Sequence, residues 1–184
     1  MRQLFTTAGS GLTRHEIDWG ERVGKWRQVQ RGVYAVGSEP VTPLDRERGA
    51  VLASRSPARG GLGGVLLGLD SVKLDGAPTR RTSCDDVTIV QDTLCADART
   101  ILLDLAASLD DDTWEQALES ALRKRLVHVD DFAVLPKNVP GVRRVRRVLI
   151  RRGDVPPTES LLETLTAQLI RRVPSLSPPI RQRV

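Results

Sequence analysis

Gly11-Leu12-Thr13-Arg14-His15-Glu16-Ile17 and, a few residues on, Gly24-Lys25-Trp26-Arg27-Gln28-Val29-Gln30-Arg31-Gly32-Val33-Tyr34-Ala35-Val36 decide how this chain is read. Thr13 is a helix N-cap, and Glu16 three residues later completes a capping box in which each partner satisfies a backbone N–H of the first turn. The box opens a helix over about residues 14–23, with Ile17 and Val23 inward and Arg14, His15, Asp18 and Arg22 outward. Gly24 stops it as a C-terminal glycine does. Residues 26–36 do not alternate strictly, so they divide into two short strands with a turn or bulge at Arg31-Gly32.

A short helix followed by a basic hairpin is the recognition helix and wing of a winged helix-turn-helix, placed here over residues 1–40. Leu4-Phe5-Thr6-Thr7-Ala8 reads as the remnant of that module's first short helix, and Gly9-Ser10-Gly11 as a turn. Thr13, Arg14 and His15 open the helix that would meet the major groove, where arginine pairs with guanine edges. Arg22, Lys25, Arg27 and Arg31 suit phosphate contact, which positions a protein on DNA without reading sequence.

Further along, Thr42-Pro43 starts a helix to about Ser54 with Leu44, Val51 and Leu52 inward. Residues 55–82 are the least legible. Their glycines at 60–64 lack the Gly-Lys-Ser/Thr ending of a phosphate loop. Val87–Val90 and Thr93–Cys95 form a hairpin turning at Gln91-Asp92, and Asp97 precedes a helix with Ile101, Leu102, Leu105 and Leu109 on one face. Asp112 or Thr113 caps the next helix, which buries Trp114, Ala117, Leu118, Ala121 and Leu122. Val129–Phe132 starts a short helix, and Gly141 begins a basic one to about Arg152. After a linker at 154–157, a second capping box of Ser160 and Glu163 opens a helix whose apolar stripe is Leu161, Leu162, Leu165, Leu169 and Ile170. The prolines at 174, 178 and 179 end it, and the last residues form one strand. The fold class is α/β in the α+β sense: the N-terminal module, then a mostly helical region with a small β-hairpin. Its divisions fall at 1–40, 41–153 and 158–184.

Charge is distributed unevenly. The 28 Lys+Arg against 23 Asp+Glu leave a formal charge of +5, but the basic residues gather at 22–31 and at 143–152 while Asp85, Asp86 and Asp110 to Asp112 fill the middle. The second basic run (Arg143, Arg144, Arg146, Arg147, Arg151) is open to three readings: a second phosphate-binding face, a surface for an acidic partner, or a solvated helix face. Three Trp, two Phe and one Tyr are few platforms for stacked bases, which favours duplex DNA over single strands. Cys84 and Cys95 lack metal-ligand spacing and read as thiols in a reducing cytosol. With no apolar run of membrane-spanning length and no leader pattern, a soluble cytoplasmic protein is expected. No Ser/His/Asp set has supporting spacing, His128 reads as structural, and no cofactor is implied.

Phe5-Thr6-Thr7-Ala8, the 11–17 and 24–35 stretches quoted above, Asp86-Val87-Thr88-Ile89-Val90 and Ala98-Arg99-Thr100-Ile101-Leu102-Leu103-Asp104-Leu105-Ala106 together resemble actinobacterial AbiEi-like antitoxins. The resemblance implies a DNA-binding antitoxin and autoregulator, with duplex DNA and a nucleotidyltransferase toxin as partners. Larger relatives append a domain similar to very-short-patch-repair endonucleases, and Thr158-Glu159-Ser160-Leu161-Leu162-Glu163-Thr164-Leu165 resembles that domain's first helix. The chain stops before that domain's acidic strands, and Glu159 with Glu163 cannot hold a catalytic metal alone, so no enzyme is expected. A truncated or split endonuclease-related protein is the alternative.

Overall fold

The computed structural model describes residues 2–76, 86–173 and 175–176. Cys84, Asp85 and the strand expected at the very end lie outside the described residues. The chain is α+β: small antiparallel sheets and helices, divided between two compact units that take their residues from Met1–Leu66 with Leu74–Asp97 and from Leu67–Lys73 with Ala98–Val184.

The first unit is built on a three-stranded sheet of β1 (Leu4–Thr6), β2 (Trp26–Gln30) and β3 (Val33–Val36), in the order β1-β3-β2. Residues 4–6 are therefore a strand and not the start of a helix. They pair with β3 through Leu4–Ala35, Phe5–Tyr34 and Thr6–Val33, and only Thr7–Ser10 forms a helical turn, α1. Three residues rich in strand formers gain more from the edge of β3 than from an isolated turn of helix, whose nucleation is costly. Between β1 and β2 runs α2 (Arg14–Arg22), capped by the Thr13–Glu16 box. The hairpin turns at Arg31-Gly32 with a bulge between Gln28 and Gln30, and Gly32 has φ of +75°, which a side chain would strain.

Helix α3 (Pro43–Ser54) begins at the Thr42 cap and packs across all three strands. Its buried face departs from the sequence expectation: Val51 is inside, Leu44 and Leu52 are half-buried, and Asp45, Arg48 and Gly49 are buried. Gly49 is there because a Cβ would lie 2.8 Å from Val29 Cγ1. Arg48 is tolerated because its guanidinium donates to the Arg2 carbonyl (2.8 Å), the Gln91 carbonyl (3.0 Å) and Thr93 Oγ1 (2.9 Å). Those bonds join Arg2, just ahead of β1, to the hairpin of β4 (Val87–Val90) and β5 (Thr93–Ala96), which turns at Gln91-Asp92 with both residues at positive φ. Helix α4 (Gly60–Leu66) completes the unit with Leu62 and Leu66 buried.

In the second unit α5 (Ala98–Ser108) and α6 (Asp111–Arg123) contribute Ile101, Leu102, Leu105, Trp114, Ala117, Leu118 and Ala121 to a dry core. Asp110, rather than Asp112 or Thr113, caps α6, its carboxylate accepting from the Asp112 and Thr113 N–H groups at 3.0 and 2.9 Å. A 3-10 turn at Val129–Phe132 leads to α7 (Val142–Arg152), and α8 (Leu161–Arg171) follows. Gly141 starts α7 because a Cβ there would meet the Ala106 backbone at 2.5 Å.

What holds these helices together is electrostatic as much as apolar. Along α6, Asp111, Asp112, Glu115 and Glu119 are presented to arginines of α7 and α8. Asp111 takes Arg144 (3.0 Å) and both donors of Arg147 (2.5 and 2.6 Å). Fully buried Glu115 takes Arg151 (2.7 Å) and Arg171 (2.6 and 2.8 Å), and fully buried Glu119 takes Arg152 (2.8 Å) and the Thr158 N–H (2.9 Å). Asp112 binds Arg151 and Arg172.

This network turns α8 round. Its leucine stripe was expected inward, yet Leu162, Leu165 and Leu169 are 72%, 38% and 60% exposed, while Thr164, Ala167 and Gln168 are buried. Gln168 bonds Gln116 (2.8 Å), the Asp112 carbonyl (2.9 Å) and Glu115 (3.2 Å), and Thr164 meets Thr158 at 2.6 Å. Two buried carboxylates demand partners: Arg171 and Gln168 of α8 serve Glu115, and Arg152 of α7 with the Thr158 N–H serves Glu119. The second capping box is only half formed: Ser160 accepts from Glu163 N–H, but the Glu163 carboxylate accepts from Glu159 N–H.

Hydrogen bonds from Arg147, with further help from Arg144, hold the Asp111 carboxyl down at about 2 against partial desolvation. A lowered carboxylate stabilises the fold above its unfolded pKa and loses that contribution as pH falls through the folded one. Asp111→Asn is thus expected to cost about 1 kcal/mol at pH 7, after solvent screening of this partly exposed site, and nothing below about pH 2. Urea unfolding between pH 7 and 2 checks this: the gap from the parent should close between about pH 4 and 2.

Candidate nucleic-acid interface

Helix α2 is positioned from its ends and from beneath. At its start, Glu16 accepts from Thr13 N–H and Oγ1, both at 2.7 Å, and Thr13 Oγ1 accepts from Glu16 N–H at 3.3 Å. These bonds keep the Glu16 carboxyl below its ordinary pKa. Beneath, only Ile17 and Gly20 are buried, and Val23, expected inward, is exposed. The place a larger side chain would take is filled from β2. The Trp26 ring lies so close that a Cβ on Gly20 would stand 2.0 Å from Cζ2, and its Nε1 donates to the Ile17 carbonyl at 3.0 Å. Phe5 meets Trp26 edge-on (5.4 Å) and stacks on Tyr34 (5.7 Å), so all three strands meet at this cluster. Lys25 N–H to Gly20 O (2.8 Å) and Gln28 N–H to Glu21 Oε1 (3.3 Å) close the helix–hairpin junction.

The outward face carries the groups singled out in the sequence. Arg14 and His15 are exposed on the first turn, next to the Thr13 cap. Arg22 Nε reaches the Asp18 carbonyl at 3.5 Å, Arg27 Nε bonds the Ser38 carbonyl at 2.8 Å, and Arg31 is exposed in the hairpin turn. Lys25 Nζ sits 4.3 Å above the Trp19 ring, a cation–π contact. Among the described residues, none of Arg14, Arg22, Lys25, Arg27 and Arg31 forms an ion pair. The helix also bears acids, but Glu16 and Glu21 are engaged by backbone N–H groups, which leaves Asp18 facing outward.

The basic helix α7 is different. Arg144, Arg147 and Arg151 are bound by α6 carboxylates, and Arg146 donates to the Leu135 carbonyl at 2.9 Å. Arg143 is exposed. Of the other groups raised by the sequence, His128 is exposed and its backbone N–H donates to Asp131 (2.7 Å), while Glu163 is engaged at the start of α8. Among the described residues no three His, Cys, Asp or Glu gather as a metal site, and no helix is long and apolar enough to cross a membrane.

Trp19 is 45% exposed beside Lys25, an outward position that the sequence analysis did not draw out. The signal was present in the helical period, since Ile17 and Gly20 define the inward stripe and Trp19 falls off it. Comparison with protein-family models, curated proteins and solved structures finds no match to this chain.

Gly20→Ala tests the junction. Although alanine favours a helix over glycine by about 1 kcal/mol, the overlap with Trp26 is expected to outweigh it and destabilise the protein by about 1–3 kcal/mol net. Urea unfolding followed by circular dichroism measures it, and a stabilised variant would refute the close packing.

Proposed function

We propose that this chain binds duplex DNA through α2 and the β2–β3 hairpin, and that it acts as an antitoxin-type autoregulator of its own promoter. The observation that carries the reading is the contrast in charge pairing. The cations of the helix–hairpin face have no carboxylate partners among the described residues, whereas most of those on α7 are neutralised within their own unit. Unpaired cations on a rigid face are what a phosphate backbone draws on, because releasing condensed counterions drives association.

The order strand, helix, helix, strand, strand supports reading α2 as a recognition helix and β2–β3 as the wing of a winged helix-turn-helix. In this reading Arg14 and His15, with the Thr13 cap, lie toward the base edges, and Arg22, Lys25, Arg27 and Arg31 hold phosphates. The antitoxin role, and a nucleotidyltransferase toxin as partner, are what the resemblance carried by residues 5–8, 11–17, 24–35, 86–90 and 98–106 implies.

A fluorescence-anisotropy titration with a duplex from the chain's own upstream region tests the proposal. Binding should weaken steeply with salt, and Arg27→Ala with Arg31→Ala should flatten the log–log salt slope by about 1–2. Arg14→Ala should instead weaken binding to that duplex by about 5- to 100-fold relative to a scrambled one. No salt-sensitive binding up to micromolar protein would overturn it.

A further inference from the structure

Helix α8 presents outward a stripe that the described residues of its unit leave uncovered: Leu162, Leu165 and Leu169, continued by Val173 and Leu176, all exposed. A helical face with three leucines at i, i+3 and i+7 is ordinarily the face a helix hides. Here the hidden side is taken by Thr164, Ala167 and Gln168, of which Gln168 bonds the buried Glu115 and Gln116 and Thr164 meets Thr158. The described residues of that unit therefore leave the leucines uncovered.

The charges at the two ends of the stripe say what would cover it. Glu159 lies just ahead of the Ser160 cap, at the N-terminal end of the stripe, is exposed, and forms no ion pair among the described residues. Arg172 stands three residues after Leu169, and its side chain is 66% exposed although it bonds Asp112. We propose that α8 pairs with α8 of a second copy, antiparallel, about a two-fold axis passing between Leu165 and Thr166. That axis sets Leu162 opposite the other copy's Leu169, and Glu159 opposite its Arg172, twice over. A parallel pair would instead set Glu159 against Glu159 and Arg172 against Arg172. Helix dipoles favour the antiparallel arrangement as well. The contact is isologous, so it closes on a dimer and does not propagate. This pairing stands independently of DNA binding; its bearing on that reading is that a dimer carries two helix–hairpin modules, as operators with two half-sites require.

Sedimentation equilibrium of the full chain, without DNA, tests it. The expected mass at tens of micromolar is about twice 20.2 kDa. Leu162→Glu and Leu169→Glu, both at exposed positions, should each raise the dimer dissociation constant at least about tenfold while circular dichroism stays unchanged. The charge variants decide the orientation: Glu159→Arg and Arg172→Glu should each weaken the dimer, and the two together should restore it. A monomer throughout overturns the proposal. So does a dimer indifferent to both leucine changes, or a double charge variant no better than either single one.

Discussion

The carboxylate face of α6 is the constraint on which most of the second unit depends. Glu115 and Glu119 are fully buried, and a buried carboxylate without a cation costs several kcal/mol. Arg151 and Arg152 from α7 and Arg171 from α8 answer that demand, and Asp111 and Asp112 draw in Arg144, Arg147 and Arg172 at the rim. Three consequences follow from this one face. The basic run of α7 is largely spent inside the molecule. Helix α8 docks by its polar side. Its leucines, as a result, point outward.

The helix–hairpin face is the opposite case. Sequence alone assigns the residues of 14–31 to DNA by motif and leaves the 143–152 run open between phosphate, an acidic partner and solvent. Charge pairing separates them: the α7 cluster finds carboxylates one helix away, and among the described residues the helix–hairpin cluster does not. The exposed cations of residues 14–31 sit on a junction made rigid by Trp26 against Gly20, by the Phe5–Trp26–Tyr34 cluster and by the Thr13–Glu16 box. A rigid presentation matters because ordering a flexible surface on binding would offset part of the gain from phosphate contact.

How much of this was legible in the sequence depended on the range of the interaction. Local signals read well. The Thr13–Glu16 box, the Arg31-Gly32 and Gln91-Asp92 turns, and the apolar face of α6 around Trp114 and Leu118 are all specified within a few residues. Long-range pairing did not. Three residues of β1 become a strand only because β3 lies beside them, some 30 positions on. Arg48 is buried because carbonyls at residues 2 and 91 receive it. The stripe of α8 pointed the wrong way because the partners of Glu115 lie more than 50 residues further along the chain as well as on α7. In the candidate interface, each basic residue could be named from sequence, but whether its charge was free could not.

The most direct test is to see which basic cluster responds to DNA. Backbone amide spectra of the full chain, recorded with and without a duplex from its upstream region, report on both at once. Shifts concentrated in residues 13–31, with residues 143–152 unmoved, are the result this account predicts. Shifts centred on α7, with α2 and the β2–β3 hairpin silent, would contradict it.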